Sequence, residues 1–339
     1  MVPGSTLQRL AAACGLPTVA ALPVPERLDP AGLEQLLADG VGDMHYLARH
    51  RELRLEPATF HPGSRSLVLA LLAYDPAPPA GSLRRSRYAA GADYHRVLRG
   101  RLAKLGALLA DAAGSDDPGR AAVDSAPVNE RQLALLAGLG WLGRNGLVLH
   151  PRRGSYHFLG TLFTAVVIEP LSGGQGADRC GTCRACEAAC PTGALVGRRV
   201  LSTRCISYWT IEHHGVIPHD LAERFAGWWY GCDICQEACP WNRFAPPAED
   251  ARLSAGRDDG DAVLLALDPA GFERHFAGSA VRRLGYPRFR RNLLVALHSL
   301  GRSGETAPIL AEGLELVRAQ AAELGLATTG TGAGSAPCT

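Results

Sequence analysis

Closely spaced cysteines between Cys180 and Cys239 constrain this chain more than any other feature of its sequence. The first run has the spacing C-x2-C-x2-C-x3-C followed by proline: Cys180, Cys183, Cys186, Cys190 and Pro191. The second run repeats the C-x2-C-x3-C-P ending but has its first cysteine far upstream: Cys205, Cys232, Cys235, Cys239 and Pro240. Cysteines at these intervals are typical ligands of 4Fe-4S clusters, so the sequence predicts two such clusters.

The spacing also predicts which cysteines share a cluster. In two-cluster ferredoxins, the fourth cysteine of a run ligates the other cluster. Applied here, this rule gives one group of Cys180, Cys183, Cys186 and Cys239. The second group is Cys190, Cys205, Cys232 and Cys235. Together they use eight of the ten cysteines, and Cys14 and Cys338 are left without a role.

Two alternatives compete with the cluster interpretation. Paired C-x2-C units can hold zinc, although zinc sites rarely use four cysteines in a row with a proline directly after the last. A secreted disulfide framework fits less well, because cysteine is scarce elsewhere and a chain of this length does not need covalent cross-links. Iron–sulfur clusters are therefore favoured, with zinc as the main alternative.

Composition limits the remaining possibilities. A chain of 339 residues with 47% hydrophobic content can bury a large core, and its length predicts two or three domains. The formal net charge of +2 excludes a strong uniform field, so a polyanion would have to bind to local patches. We find no signal peptide and no apolar run long enough to span a membrane. Oxygen-sensitive clusters then predict a cytoplasmic protein, which we expect to be a monomer.

Apolar periodicity gives a coarse secondary structure. Residues 4–55 read as helical, with interruptions at three prolines, and residues 66–74 form an apolar run typical of a buried strand. We predict further helices up to residue 109, over 130–137 and within 264–301, and another strand over 162–168.

Asp124 is the first candidate catalytic residue outside the cysteine region. It precedes Ser-Ala-Pro in a glycine-rich stretch, where a carboxyl beside an apolar pocket can have a raised pKa and donate a proton. The alternative is that Asp124 only caps the following helix, which the local sequence alone favours. Arg144 and Asn145 could similarly form a ligand clamp or only stabilise their loop.

Several ordered blocks together resemble the epoxyqueuosine reductases. Besides the cysteine motifs, these blocks are residues 42–49, 123–127, 130–131, 138–145, 154–160, 204–208, 210–212, 230–235 and 291–292. The resemblance extends over nearly the whole chain. Enzymes of that family use cobalamin and two 4Fe-4S clusters to reduce epoxyqueuosine to queuosine at the wobble position of tRNA anticodons.

The resemblance implies an α+β chain in several parts. Residues 1–170 would form a nitroreductase-like cobalamin-binding α/β domain, and residues 171–245 a ferredoxin-like domain with both clusters. Residues 246–327 would be a helical, HEAT-like segment with possible tRNA contact, and only one repeat unit is visible in it. The tail, 328–339, is small and polar, and we expect it to be disordered.

The resemblance also implies roles for single residues. Asp124 would be the proton donor, held protonated in a desolvated pocket. We predict cobalamin contacts at Arg49, Asp93, Tyr94, Arg144, Asn145, Ser155, Ser207, Tyr230 and Gly231. The resemblance further implies that no protein histidine lies below the cobalt, which agrees with the lack of the glycine of an Asp-x-His-x-x-Gly motif after Asp93-Tyr-His95.

The predicted partners are a tRNA anticodon loop bearing epoxyqueuosine and an external reductant of unknown identity. A basic cluster could grip the phosphates, with a solvated helix face as the alternative: Arg282, Arg283, Arg288, Arg290 and Arg291. Two other functions remain open. They are a cobalamin-dependent reductase of the reductive dehalogenase type and a ferredoxin-type electron carrier.

Overall fold

The structure is a computed structural model that describes residues 1–78, 81–174, 176–254, 256–257 and 259–326. The predicted disordered tail, with Cys338, lies outside the described residues.

The described residues alternate between short strands and helices. The strands are β1 Thr18–Pro23, β2 Ser66–Ala73, β3 Arg84–Arg85, β4 Arg120–Ala122, β5 Trp141–Leu142, β6 Val148–Leu149, β7 His157–Thr164, β8 Leu195–Val196, β9 Arg199–Val200 and β10 Trp228–Tyr230. The helices of the first half are α1 Gly4–Ala13, α2 Ala31–Ala38, α3 Tyr46–Arg49, α4 Arg51–Leu55, α5 Tyr94–Ala113 and α6 Glu130–Leu136.

The second half of the chain is mainly helical. Its α-helices are α7 Ala185–Ala189, α8 Ile206–Ile211, α9 His219–Ala222, α10 Ile234–Glu237, α11 Asp261–Ala266, α12 Pro269–His275, α13 Tyr286–Ser299, α14 Ala307–Ala311 and α15 Glu315–Glu323. Short 3-10 helices are Pro57–Thr59, Arg87–Ala89, Ser202–Arg204, Pro240–Phe244, Ala251–Leu253, Ala280–Leu284 and Ser303–Glu305.

An antiparallel sheet with the strand order β1-β2-β7-β4 forms the centre of the first half. Every residue of β2 is buried, because helices cover both faces of the sheet. Side chains alternate along the strand: Val68, Ala70 and Leu72 pack towards α1 and α5. Leu67, Leu69 and Leu71 pack towards α6 on the other face.

Helix α5 lies directly against β7. A Cβ atom at Gly160 would come within 2.8 Å of Leu102 and 2.9 Å of Leu98, both on α5, so only glycine permits this close approach. The helix ends at Gly114, which has a φ of 63°. This packing fixes the first turn of α5 near the loop that follows β4.

A second hydrophobic core encloses α8, β10 and the C-terminal helices. It contains Ile206, Trp229, Phe289 and Leu324 among its buried members. Its members come from both sides of residues 245 and 246.

The sequence-based elements are partly confirmed. The buried strand at 66–74 and the helix at 130–137 are present within one residue of their predicted ends. The helical interpretation of residues 4–55 is wrong at β1, where Ala20 and Ala21 are buried as the sheet edge pairs with β2. The strand predicted at 162–168 lies at 157–164 instead. None of the helices in the described ranges combines the length and the apolar character that crossing a membrane requires.

Candidate active site

Asp124 lies in the loop between β4 and α6. Its backbone is left-handed, with a φ of 50°, a conformation that costs a residue other than glycine some free energy. Its N–H donates a hydrogen bond to Oε2 of Glu130 at 2.9 Å. Asn129, not Asp124, caps α6. The helix-capping alternative for Asp124 is therefore wrong.

The first turn of α5 faces the Asp124 carboxyl. The Tyr94 hydroxyl donates to Oδ2 of Asp124 at 2.7 Å, and Nε2 of His95 lies 3.0 Å from the same oxygen. The other ring nitrogen of His95, Nδ1, lies 2.7 Å from Oδ1 of Asp93. Arg283 donates to Oδ2 of Asp93 at 2.7 Å. These contacts form a continuous chain from Arg283 through Asp93 and His95 to Asp124.

The hydrogen bonds around Asp124 contradict our prediction that this residue is a protonated acid. Desolvation acts to raise the pKa of Asp124, but hydrogen bonds from His95 and Tyr94 outweigh it and lower the pKa. The side chain is 63% exposed. Asp124 is therefore a carboxylate at neutral pH in this structure, and the expected protonated, desolvated acid is not observed.

The proton is favoured on His95 instead. Burial acts against the charged ring, but hydrogen bonds to Asp124 and Asp93 outweigh it, so the pKa of His95 is raised. Burial likewise opposes ionisation of Asp93, yet His95 and Arg283 lower the pKa of Asp93 to about 2. The two carboxylates lie on either side of the His95 ring and favour its protonated form, whereas Arg283 opposes it.

Glu130 behaves in the opposite way to Asp124. Burial, reinforced by the Asp124 charge, raises the pKa of Glu130 well above its usual value. Its Oε1 atom is buried and has no hydrogen-bond partner, while Oε2 holds the Asp124 N–H. Burial therefore favours the neutral form of Glu130, which holds the Asp124 loop through one oxygen.

Aromatic rings form the wall beside these groups. Tyr94 stacks on Phe158 with ring centres 4.1 Å apart, and Tyr88 lies edge-on to Tyr94 at 5.8 Å. Tyr230, at the end of β10, lies 6.1 Å from Tyr88, and burial raises the pKa of Tyr230 to about 12. The rings of this aromatic wall are not coplanar: Tyr94 and Phe158 are parallel, whereas Tyr88 is nearly perpendicular to Tyr94 and tilted by 43° to Tyr230. Both nitrogens of His95 are already engaged, so this histidine is not available to a cobalt ion.

One of the predicted cysteine groups surrounds a single cavity. Its lining consists of Cys180, Cys183, Cys186 and Cys239 together with Arg144, Asn145, Leu149, Ala185, Pro240 and Trp241. Trp141 donates its indole N–H to the sulfur of Cys180 at 3.4 Å. The amide nitrogen of Asn145 is buried without a hydrogen-bond partner. Four thiols and two such N–H donors fit a cluster whose sulfurs accept hydrogen bonds.

The second predicted group is also brought together by the fold. Burial raises the pKa of the Cys235 thiol, and the nearby Cys205 and Cys190 raise it further. Burial has the same effect on the pKa of Cys232, which Cys205 and Cys235 reinforce. In the described part of the chain, every cysteine is free of disulfide bonds. The thiols thus crowd into one place, as expected for ligands of a common centre.

A buried network ties this cysteine region to the first half of the chain. Asp233, between two of the predicted ligands, accepts hydrogen bonds from the Ser86 hydroxyl and from the Arg87 N–H, the latter at 2.8 Å. Arg87 also donates to the Tyr156 hydroxyl at 3.0 Å. Because Cys232 comes two residues after Tyr230, the chain leads directly from the end of β10 at the aromatic wall to the cysteines.

The other predicted cobalamin contacts lie on several different elements of the fold. Arg49 is exposed on α3 and Ser207 is half-buried on α8. Gly231 has a φ of 64°, and a Cβ there would lie 2.6 Å from Ser86, so packing alone explains this glycine. Arg144 donates to the carbonyl of Gly181 at 3.0 Å, which places it at the cysteine cavity rather than at Asp124.

Ser155 requires a correction. Its hydroxyl hydrogen-bonds the side chains of Gln236 at 3.0 Å and Asn242 at 3.1 Å. The residue is buried between the two halves of the chain. Its side chain therefore joins these halves and is not open to a cofactor.

The predicted basic cluster is only partly on the surface. Arg290 and Arg291 are buried, and Arg291 donates to the backbone carbonyls of His213 and Trp209, each at 3.0 Å. Arg288 also donates to backbone carbonyls. The expectation of phosphate contacts fails for the two buried arginines. Only the side chains of Arg282 and Arg283 are more than half exposed.

The sequence interpretation missed His95 and Glu130 as functional residues. His95 entered it only as part of an incomplete cobalamin motif, and Glu130 only as part of a matching block. A histidine two residues after a helix-capping aspartate was a usable signal. Its pairing with Asp124 depends on how α5 packs against the sheet.

Two family descriptions match parts of this chain. Residues 179–242 match the family described as "4Fe-4S double cluster binding domain". Residues 54–125 match the family described as "Epoxyqueuosine reductase QueG, DUF1730". The first range contains both predicted cysteine groups, and the second ends one residue after Asp124.

Curated relatives and solved structures agree with these matches. An epoxyqueuosine reductase of Vibrio cholerae is 40% identical over 284 residues, which cover 79% of this chain and 75% of the relative. One from Alicycliphilus denitrificans is 43% identical and covers 78% of each chain. A crystal structure of an epoxyqueuosine reductase with a modified tRNA-Tyr stem loop has a TM-score of 0.79 at 26% identity, covering 95% of this chain and 89% of that one. A Bacillus subtilis epoxyqueuosine reductase, whose catalytic aspartate loop is swung out of the active site, has a TM-score of 0.78 at 26% identity with the same coverage.

Proposed function

This chain belongs to the epoxyqueuosine reductase family, and from that premise we propose how its residues carry out the reaction. The enzyme reduces epoxyqueuosine to queuosine at the wobble position of tRNA. The observation that carries the site assignment is the Asp124 carboxylate held by Tyr94 and His95 beside the aromatic wall.

The enzyme uses two 4Fe-4S clusters and cobalamin. When bound, these cofactors would supply the low-potential electrons that reduction of the epoxide requires. We propose the two cysteine groups as cluster ligands, with Trp141 and Asn145 donating hydrogen bonds to cluster sulfurs. The aromatic wall of Tyr88, Tyr94 and Tyr230 would then bound the space shared by cobalamin and the nucleoside.

Protons must reach the oxygen that leaves the epoxide, and we assign their delivery to Asp124 and His95. The His95 ring is 3.0 Å from Asp124, close enough to supply a proton to the carboxylate. Asp93 orients the ring and stabilises its charge. When a nucleoside covers Asp124, the loss of water raises the pKa of this carboxyl and draws the proton onto it. Asp124 then donates to the substrate.

The Asp124 loop must also close over the substrate. In the Bacillus subtilis relative, the loop with the catalytic aspartate is swung out of the active site. Here the loop is held in by the Glu130 carboxyl and carries Asp124 in a left-handed conformation. We propose that Glu130 is a positioning residue that balances this backbone strain and favours the inward loop.

Several partner assignments follow as proposals. A related structure holds an epoxyqueuosine-modified tRNA stem loop. We propose that Arg282 and Arg283, whose side chains stay exposed, contact phosphates of such a stem loop. An external reductant must load the clusters, since the reaction consumes electrons. In the described residues, exposed large apolar side chains are scattered over different elements, which supports a monomer. Oxygen-sensitive clusters favour the reducing cytoplasm.

The test is a reconstitution. The protein is loaded anaerobically with iron, sulfide and cobalamin, reduced, and mixed with an anticodon stem-loop that contains epoxyqueuosine. Mass spectrometry then measures queuosine. We expect conversion by the wild type and by Asp111→Asn, which changes an exposed aspartate of α5. Asp124→Asn should reduce turnover by about 10² or more.

Cluster and cobalamin absorption serve as the loading control. A fully loaded wild type that forms no queuosine would overturn the proposed activity. A fully active Asp124→Asn enzyme would instead remove Asp124 from its role and leave the activity intact.

A further inference from the structure

His219, Glu223 and His298 form a compact group of potential metal ligands that the proposed reaction does not use. One ligand atom from each residue lies within 4.8 Å of the other two. Nε2 of His219 is 3.6 Å from Oε1 of Glu223, and the rings of His219 and His298 are 5.5 Å apart. Two imidazoles and a carboxylate thus converge on one point.

Local structure explains how the three side chains meet. His219 begins α9 directly after Pro218, and Glu223 follows four residues later, so both lie on the same face of one helical turn. His298 lies in the last turn of α13, whose residues from Phe289 to Leu297 are buried. A well-packed helix therefore presents His298 to the α9 pair in a fixed position.

The chemistry of this group matches a transition metal better than calcium or magnesium. Imidazole nitrogens suit zinc, copper, iron and nickel, whereas calcium and magnesium prefer oxygen ligands. Two histidines and a glutamate leave a fourth tetrahedral position for water, as in zinc sites with three protein ligands.

We propose that His219, Glu223 and His298 bind a divalent transition-metal ion, with zinc as the best match. The ion would join two segments that are distant in sequence. Helix α9 lies between the predicted cluster ligands Cys205 and Cys232, and α13 belongs to the C-terminal helices. Glu323 of α15 already accepts the backbone N–H of His219 at 3.0 Å. The metal would thus fasten the cluster-bearing segment to the C-terminal helices.

The test measures zinc on the protein with its own cofactors in place, because empty cluster sites would bind zinc through cysteine. Cluster- and cobalamin-loaded protein is dialysed anaerobically against zinc chloride, and bound zinc and iron are measured together. We expect one zinc ion per chain beyond that found in the triple variant His219→Gln, Glu223→Gln and His298→Gln. Each single variant should weaken binding by at least about tenfold.

Two controls separate this site from others. His45→Gln removes an exposed histidine outside the group and should leave zinc affinity unchanged. Glu223→Gln keeps the shape of an exposed side chain, so we expect the variant to fold normally, and a loss of zinc binding would then report on the site itself. Equal zinc binding by wild type and triple variant would overturn the proposal.

X-ray absorption at the zinc edge identifies the ligands. Nitrogen and oxygen neighbours at about 2.0–2.1 Å support the site. Sulfur neighbours at about 2.3 Å would place the zinc on cysteines and refute it.

Discussion

Replacing His95 by glutamine tests whether this histidine supplies protons or only holds Asp124 in place. Glutamine can still donate a hydrogen bond towards Asp124, but it cannot release a proton at neutral pH. His95 contacts Asp124 at 3.0 Å and Asp93 at 2.7 Å. The substitution therefore keeps part of the geometry and removes the titrating group.

The size of the effect distinguishes the two roles. A hydrogen bond to a charged group contributes about 1.5–3 kcal/mol, so loss of positioning alone would lower kcat by about 10- to 150-fold. Loss of general acid catalysis lowers rates by about 10²–10⁴. The magnitudes overlap, so the pH profile must decide between them.

The sign of the pH dependence follows from the raised pKa of His95. The ring carries its proton below that pKa and loses it as the pH rises, so the wild-type rate should fall on the alkaline side. In His95→Gln this fall should disappear, and the slow rate should be flat over about pH 6–9.

The assay is a single turnover of pre-reduced, fully loaded enzyme on an epoxyqueuosine stem-loop, quenched at intervals at each pH. Because the enzyme is reduced beforehand, electron delivery from the donor does not contribute to the measured rate. His61→Gln is a matched control, because His61 pairs with Asp117 at 3.0 Å in another part of the molecule. An unchanged alkaline fall in His95→Gln, or the same rate loss in the control, would refute the proton-donor role.

Three further predictions concern neighbouring residues. Asp93→Asn should lower the free energy of unfolding, measured by denaturant at neutral pH, by about 2 kcal/mol. The reason is that the pKa of Asp93 is lowered from 3.8 to about 2, which stabilises the fold above pH 3.8, and this stabilisation is lost as the pH falls towards 2. An unchanged denaturation midpoint would contradict this. Glu130→Gln should retain most turnover, because an amide oxygen still accepts the hydrogen bond from the Asp124 N–H, whereas Glu130→Ala should lower turnover about tenfold. Equal rates in both variants would exclude Glu130 as a positioning residue. Cys239→Ser should change the electron paramagnetic resonance signal of one reduced cluster and leave the signal of the other unchanged, and Cys14→Ser should change neither signal. An unaltered spectrum for Cys239→Ser would exclude Cys239 as a cluster ligand.

The sequence alone was sufficient to predict features that depend on closely spaced residues. The cysteine spacing predicted the group around Cys180 and Cys239 that the structure gathers at one cavity. The run from Ser66 was recognisable as a buried strand, because continuous apolar residues without charge suit a strand covered on both faces. These features depend on a few neighbouring residues.

Properties that depend on distant residues could not be predicted in the same way. The low pKa of Asp124 arises from His95 and Tyr94, about thirty positions earlier, and only the packing of α5 brings them together. Arg291 appeared to belong to a basic surface, yet it is buried because carbonyls some eighty residues away satisfy its donors. The strand β1 was missed since its alanines suit a helix until the neighbouring strand is known.

Strand β10 has a consequence for how this enzyme can change. Tyr230 belongs to the aromatic wall, and Cys232, two positions after the end of the strand, is proposed as a ligand of an iron–sulfur cluster. We expect a substitution that shifts the end of β10 to displace that sulfur as well. Substitutions that shift the end of β10 should therefore change the substrate range and the reduction potential of the cluster together. A variant in which only one of these properties changes would have to leave this strand in place.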